Sequence, residues 1–167
     1  MELRWYDHAF AELSAAQLYA IVALRERVFV VEQTCAYLDA DGLDPGSRHL
    51  WAESLDPDAD PDADPDADPD ASGKLTQAGT IQAYLRIVPA GAKFDEISLG
   101  RIVTAATARG TGLGRTLVQR GLAAVGNSPV RIGAQAHLER FYGEFGFRRV
   151  SEPYLEDGIP HIDMLRS

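Results

Sequence analysis

Residues 108 to 115 read Ala-Arg-Gly-Thr-Gly-Leu-Gly-Arg. Glycines at alternate positions let a backbone approach a ligand closely, and amides at the start of a helix attract an anion. A phosphate or pyrophosphate is the natural guest of Arg109, Gly110, Thr111, Gly112, Leu113 and Gly114. A P-loop would close on Gly-Lys-Ser/Thr, whereas Gly114 is followed by Arg115 and Thr116. A Rossmann fingerprint needs G-x-G-x-x-G and an acid about 20 residues later. Here the spacing is G-x-G-x-G, and the following strand carries Gly133, Ala134 and Gln135. Both nucleotide readings are disfavoured. The simpler alternative, that the glycines only permit a tight turn, stays open on these residues alone.

The surrounding elements place this loop between a strand and a helix. Residues 96–104, EISLGRIVT, read as a strand, and Leu113, Leu117, Gly121 and Val125 mark one face of a helix over 112–125. VRIGAQA, 130–136, is a further strand, which completes a β-α-β unit. Upstream, Ser14 and Gln17 form a capping box for a helix over 14–28. Residues 28–47 read as a long loop with room for a short helix. Strands are expected over 2–7, 48–55 and 80–88. Leu138, Phe141, Tyr142 and Phe145 fall at i, i+3, i+4 and i+7, and Gly146 is placed to end that helix in the left-handed region. FRRVSEPY and HIDML supply two more strand candidates. The predicted class is α/β: a single domain over 1–167 whose sheet is largely antiparallel except around 96–136.

Residues 56–71 read DPDADPDADPDADPDA. Proline at every fourth position blocks helix and central strand alike, and there is no apolar surface to offset ordering entropy. The repeat is expected to be a disordered insertion in a hairpin loop between two strands. It also distorts the charge: the chain carries −9, but outside the repeat 17 acids face 16 bases. No basic footprint for nucleic acid is present. No stretch of about 18 apolar residues suggests a membrane span. No secretory leader is visible, and the only cysteine, Cys35, excludes an internal disulfide, so a cytoplasmic location is expected. No metal-ligand spacing stands out. The repeat's aspartates lack the turn glycine and terminal glutamate of an EF-hand.

The loop, together with Phe141-Tyr142 and Gly146-Phe147, resembles GNAT superfamily N-acetyltransferases, which use acetyl-coenzyme A. Residues 24–37, 133–147 and 156–164 are similar to the ElaA-like branch, and the likeness covers nearly the whole chain apart from the repeat. The resemblance implies the GNAT acyltransferase fold, with splayed central strands and flanking helices. It implies that Ile102, Val103 and Thr104 bond the pantetheine arm, while Arg109 through Thr116 cradle the pyrophosphate. It implies acetyl transfer to a primary amine, from a small molecule or a peptide, by direct attack in a ternary complex. No metal is required, and a homodimer is left open.

Tyr142 matches the family tyrosine that protonates the leaving thiolate; by spacing alone it is a core aromatic. Glu96 is the candidate base, in step with Ser98, Gly100, Ile102 and Thr104, although it could simply be an exposed strand start. Glu32, His49, His137 and a water chain are its rivals. The resemblance puts Glu32, Gln33, Cys35, Tyr37 and the acid-rich 39–44 stretch on the acceptor side, where several acids would suit a cationic amine; a polar surface loop is the alternative. His137 is also assigned there. Cys35 as a nucleophile, with His49 or His137, is disfavoured because direct transfer needs no covalent enzyme. Two other classes remain: a sensor that binds acyl-coenzyme A without turnover, and a nucleotide-phosphate binder.

Overall fold

The computed structural model describes residues 2–55 and 80–167. The expected repeat insertion at 56–71 lies outside the described residues. The strands on either side of it, β2 (Arg48–Ser54) and β3 (Ile81–Val88), pair antiparallel.

Among the described residues eight strands form one open sheet in the order β1-β2-β3-β4-β5-β8-β6, with β7 on β8. The others are β1 (Leu3–Ala9), β4 (Ile97–Thr104), β5 (Val130–Gln135), β6 (Arg148–Arg149), β7 (Tyr154–Glu156) and β8 (Ile159–Arg166). All neighbours run antiparallel except β4 and β5. This is the expected mixed, mostly antiparallel sheet. Side chains alternate across a strand, so Leu85 and Tyr84 of β3 face opposite sides. Helix α2 (Leu113–Val125) packs on the Leu85 side. It comes so close that a Cβ at Gly121 would lie 2.7 Å from a Leu85 methyl. Helix α1 (Ala15–Arg25) covers the Tyr84 side, where the Arg25 guanidinium lies over the Tyr84 ring.

The capping box forms as read: the Gln17 amide donates to Ser14 Oγ at 3.2 Å, and the Ser14 amide to Gln17 Oε1 at 2.9 Å. The end of the helix differs from expectation. Helix was expected to residue 28 and loop from there; instead the α-helix ends at Arg25 and the chain winds on as a π-helix over Glu26–Glu32. Helix α3 (Glu139–Gly143) is shorter than its apolar spacing suggested, because Ala136–Leu138 form a tighter 3-10 turn. Leu138, Phe141 and Phe145 still pack on the core, and Gly146 is left-handed as expected.

Two features open the middle of the sheet. Between the pairs Tyr84↔Val103 and Arg86↔Gly100, Leu85 stands opposite two residues of β4, Arg101 and Ile102. This is a β-bulge, which bends and twists its strand. Arg101 takes the left-handed conformation there, with φ 52°. On the other edge, β4 pairs with β5 only at Ile97↔Val130 and Ser98↔Arg131. Past Ser98 the two strands diverge.

Candidate active site

The divergence of β4 and β5 opens a cavity of about 940 Å³. Its walls come from β3, β4, β5, β7, β8, the π-helix, the loop that follows it, and Tyr142 of α3. Of the residues assigned from sequence, Ile102, Val103, Thr104, Arg109, Glu32, Gln33, His137 and Tyr142 all line this cavity. Gly110 through Thr116 stand beyond it, at the N-terminus of α2. Glu96 is not among the lining residues. It precedes the paired residues Ile97 and Ser98, on the side where β4 and β5 are still joined, and its charge acts on Arg131. The cavity is lined by every residue of β4 from Ser98 to Thr104, so strand alternation did not give the depth along the strand that decides the lining.

The loop has the geometry an anion needs. Gly110 and Gly112 adopt φ 75° and 86°, and nothing lies within 4 Å of a Cβ built on either. Gly112 is the N-cap of α2 and no side chain caps that helix, so the amides of its first turn remain available to an anion. Both basic residues of the loop have carboxylate partners. Arg109 donates to Glu32 Oε2 at 2.6 Å, which ties the loop to the π-helix. Arg115 pairs with Glu144 and lies over the Phe145 ring, 5.4 Å from its centre. Open backbone on β4, an uncapped helix start and two glycines with empty Cβ space fit an acyl-coenzyme A arm and its pyrophosphate.

Tyr142 is held by the turn from Leu138 into α3, with Phe141 and Phe147 edge-on at 5.1 and 6.0 Å between ring centres. It is 6 % exposed and lines the cavity. Burial pushes its phenol up to about 12. The hydroxyl therefore keeps its proton at neutral pH and can donate it. Among the described residues nothing hydrogen-bonds that hydroxyl.

The acidic stretch on the acceptor side is corrected by the structure. Its aspartates are not free charges; they pair with three arginines, and of this network Asp41, Arg86 and Arg101 line the cavity. Arg25, fully buried, donates to Asp39 and Asp44 at 2.8 Å each. Arg86 donates to Asp41 at 2.6 Å and to Asp44 at 2.8 Å. Arg101, at the bulge, lies 2.7 Å from Asp39 and over the Tyr37 ring. Burial alone would raise the Asp44 carboxyl, but hydrogen bonds from Arg25 and Arg86 hold it below its ordinary value. Asp41 is likewise held low against burial by Arg86. The same contacts outweigh burial in raising Arg25 and Arg86. The network pins the loop after the π-helix to the sheet.

The rivals for the base also sort out. His49 is fully buried outside the cavity. Its Nε2 meets the Asp44 carbonyl at 3.1 Å and its Nδ1 meets the Tyr84 hydroxyl at 2.8 Å, so neither nitrogen is free. Cys35 is buried, and its thiol donates to the carbonyls of Gln33 and Asp157 at 3.4 and 3.6 Å. No histidine is bonded to it, so it has no base to activate it. Glu32 is engaged by Arg109. His137 lines the cavity, but no hydrogen bond from a described residue fixes its ring. Sequence reading missed His161 of β8, which also lines the cavity. Its signal was present in the alternation of HIDML, which sets His161 and Asp163 on one face.

A strand pair that splays beside an uncapped, glycine-rich helix start, with a protonated phenol in the gap, defines a site for acyl transfer. The chain belongs to the GNAT acetyltransferase family: residues 75–167 match the model of the acetyltransferase (GNAT) domain. It is 38 % identical over 169 residues to a UPF0039 protein of Synechocystis sp., covering 99 % of this chain and 96 % of that one. It is 36 % identical over 170 residues to the protein ElaA of Escherichia coli, covering 98 % and 96 %. Among solved structures, an acyl-CoA N-acyltransferase from Pseudomonas aeruginosa superposes with a TM-score of 0.81 at 38 % identity, over 99 % of this chain and all of that one. The crystal structure of Escherichia coli ElaA gives 0.78 at 35 % identity, with coverage of 99 % and 100 %.

Proposed function

We propose that this protein transfers the acetyl group of acetyl-coenzyme A to a primary amine by direct attack within a ternary complex. The observation that carries the proposal is the cavity itself. One space is bordered by the unpaired end of β4, by Arg109 of the glycine loop and by the buried Tyr142. Acyl-coenzyme A would supply an acyl group activated as a thioester. Backbone groups of Ile102, Val103 and Thr104 lie where a pantetheine arm could add to the open edge of β4. The α2 amides and the loop glycines suit its pyrophosphate. Tyr142 is the proton donor to the departing sulfur, since its hydroxyl is protonated, unclaimed and inside the cavity.

The test is a thiol-release assay with acetyl-coenzyme A against a panel of alkyl amines, polyamines, amino acids and lysine-containing peptides. Thiol release that depends on both protein and amine, with mass spectrometry showing the acetylated amine, supports the proposal. If calorimetry shows coenzyme A binding but no amine releases thiol, the chain is an acyl-coenzyme A sensor instead. If adenosine triphosphate displaces coenzyme A with equal affinity, the loop serves nucleotide phosphates.

A further inference from the structure

Beyond the acid and the glycine loop, one face of the cavity is a wall of polar side chains built by three paired strands. In β5, Arg131, Gly133 and Gln135 stand on the side opposite the core residues Val130, Ile132 and Ala134. Gln135 pairs with His161 of β8, and His161 pairs with Tyr154 of β7. These residues therefore share a face, and Gln135, His161 and Glu156 all line the cavity.

His161 has a fixed tautomer. Its Nδ1 lies 2.8 Å from the Ile159 carbonyl oxygen. A carbonyl only accepts, so Nδ1 must carry the hydrogen. In the neutral ring Nε2 is then an unprotonated acceptor. Nε2 lies 3.8 Å from Glu156 Oε2, and the Tyr154 ring stacks on the imidazole at 6.0 Å. The other groups around it are accounted for. Gln135 donates to Gln33 Oε1 at 3.2 Å. Asp163, two residues along β8, accepts from Arg131 and from the Tyr154 hydroxyl, at 2.8 Å each. Lys93 reaches Gly133, with Nζ 3.9 Å from the position of a Cβ there. From the loop above, the Cys35 thiol donates to the Asp157 carbonyl, which places that carboxylate-bearing turn beside β8. Asp163 is committed to its two donors; of the wall's remaining acceptors Glu156 is half-exposed, and the shielded imidazole of His161 is the one set within the cavity.

We infer that His161 is the general base of the transfer, with Glu156 a positioning residue that steadies the imidazolium; the inference rests on the acyl-transfer reading above. An amine enters as an ammonium ion. One N–H bond breaks, its proton passes to His161 Nε2, and the electron pair stays on nitrogen for attack. The new imidazolium keeps Nδ1–H on the Ile159 carbonyl and gains a charge partner in Glu156. When the C–N bond forms and the C–S bond breaks, the sulfur takes the Tyr142 proton, and the nitrogen releases its second proton to water to leave the neutral amide. The site returns to its starting state when His161 gives its proton to water and Tyr142 takes one from water, so that one proton is released per turnover.

His161→Asn is the informative substitution, because its side-chain amide can still donate to the Ile159 carbonyl while Nε2 is lost. With an alkyl amine it should lower kcat/KM at pH 7 by about 10²–10³-fold, the range of lost general-base catalysis, and remove the acid limb of the pH profile. With a weakly basic aromatic amine, which arrives neutral, the loss should stay within about tenfold. The coenzyme A dissociation constant should hold within twofold. Glu156→Gln should lower kcat with little change in KM for the amine, because the imidazolium formed in the reaction loses its charge partner. Nitrogen-15 NMR of the imidazole should show Nδ1–H and a bare Nε2 in the neutral ring, independent of turnover. An Nε2–H tautomer, or a His161→Asn protein that keeps both the rate and the acid limb, overturns the inference alone. If wild-type protein binds coenzyme A but releases thiol with no amine, the acyl-transfer reading itself fails and the inference falls with it.

Discussion

Asp39→Ala removes the centre of the arginine–aspartate network and should cost the fold heavily. The Asp39 carboxylate meets Arg25 Nε at 2.8 Å, Arg101 Nε at 2.7 Å and the Tyr37 hydroxyl at 3.0 Å. Its backbone carbonyl separately accepts from Arg25 and Arg101, and those bonds survive the substitution. Removing one partner of a buried ion pair typically costs 3–5 kcal/mol, because the other charge is left uncompensated. Arg25 keeps Asp44 and Arg101 keeps Asp41 at 3.3 Å, so the low end applies, about 3 kcal/mol. For a domain of this size that is a fall in Tm of about 6–12 °C. Arg101 holds a left-handed conformation at the β4 bulge, and Asp39 is its nearest anion. The cavity wall formed by Tyr37 and Leu38 should therefore loosen, and the acceptor KM should rise while coenzyme A binding holds. Calorimetric unfolding of Asp39→Ala, Arg25→Met and the double variant gives the coupling directly; about 1.5 kcal/mol or more is expected for residues sharing a network. A single variant melting within about 2 °C of wild type would mean a loss under about 1 kcal/mol, and would refute the view that this network braces the acceptor side.

Three further outcomes follow from the same geometry. Tyr142→Phe keeps the ring between Phe141 and Phe147, so Tm and coenzyme A affinity should hold while kcat falls by about 10²-fold, the low end for a lost general acid; an unchanged kcat with chemistry rate-limiting would return Tyr142 to the core. Gly112→Asn tolerates the left-handed φ and should leave stability nearly intact, whereas Gly112→Val should cost about 1–2 kcal/mol of backbone strain; both should weaken coenzyme A at least tenfold, about 1.4 kcal/mol by calorimetry, if the cradle needs bare backbone. Asp41 and Asp44 have carboxyls held below their ordinary range, so their stabilisation is present above the unfolded value of about 3.9 and is lost as pH falls through the folded values; urea unfolding should therefore show stability dropping below about pH 4, with a shallower slope in Asp44→Asn.

The parts of the site that were legible in the sequence are local. The glycine loop, the capping box and the Leu138–Phe145 spacing each draw on contacts within a turn or two, and spacing reports those directly. The π-helix was not legible, because an apolar face continues through it much as through an ordinary helix turn. The aspartates of the 39–44 stretch looked available because their partners are distant: Arg25 lies 19 residues from Asp44, Arg86 lies 45 from Asp41, and Arg101 lies 62 from Asp39's carbonyl. No pattern in the chain announces such pairs.

Glu96 shows the limit most clearly. Period-two alternation put Glu96 in step with Ser98, Gly100 and Ile102, whereas the cavity is lined by every β4 residue from Ser98 to Thr104. Alternation carries no information about where two strands part. Here they part after Ser98↔Arg131, so a side chain before that pair faces the joined sheet, and one after it faces the gap. The same rule favours β8. It pairs with β5 along the whole of that strand, from Val130↔Arg166 to Gln135↔His161, and so follows β5 away from β4. The farther a β8 residue lies from the Val130 end, the wider the gap it overlooks. His161 is at the far end of that register and Asp163 two residues nearer, which is why the proton acceptor is sought at His161 and not at the strand start that carries Glu96.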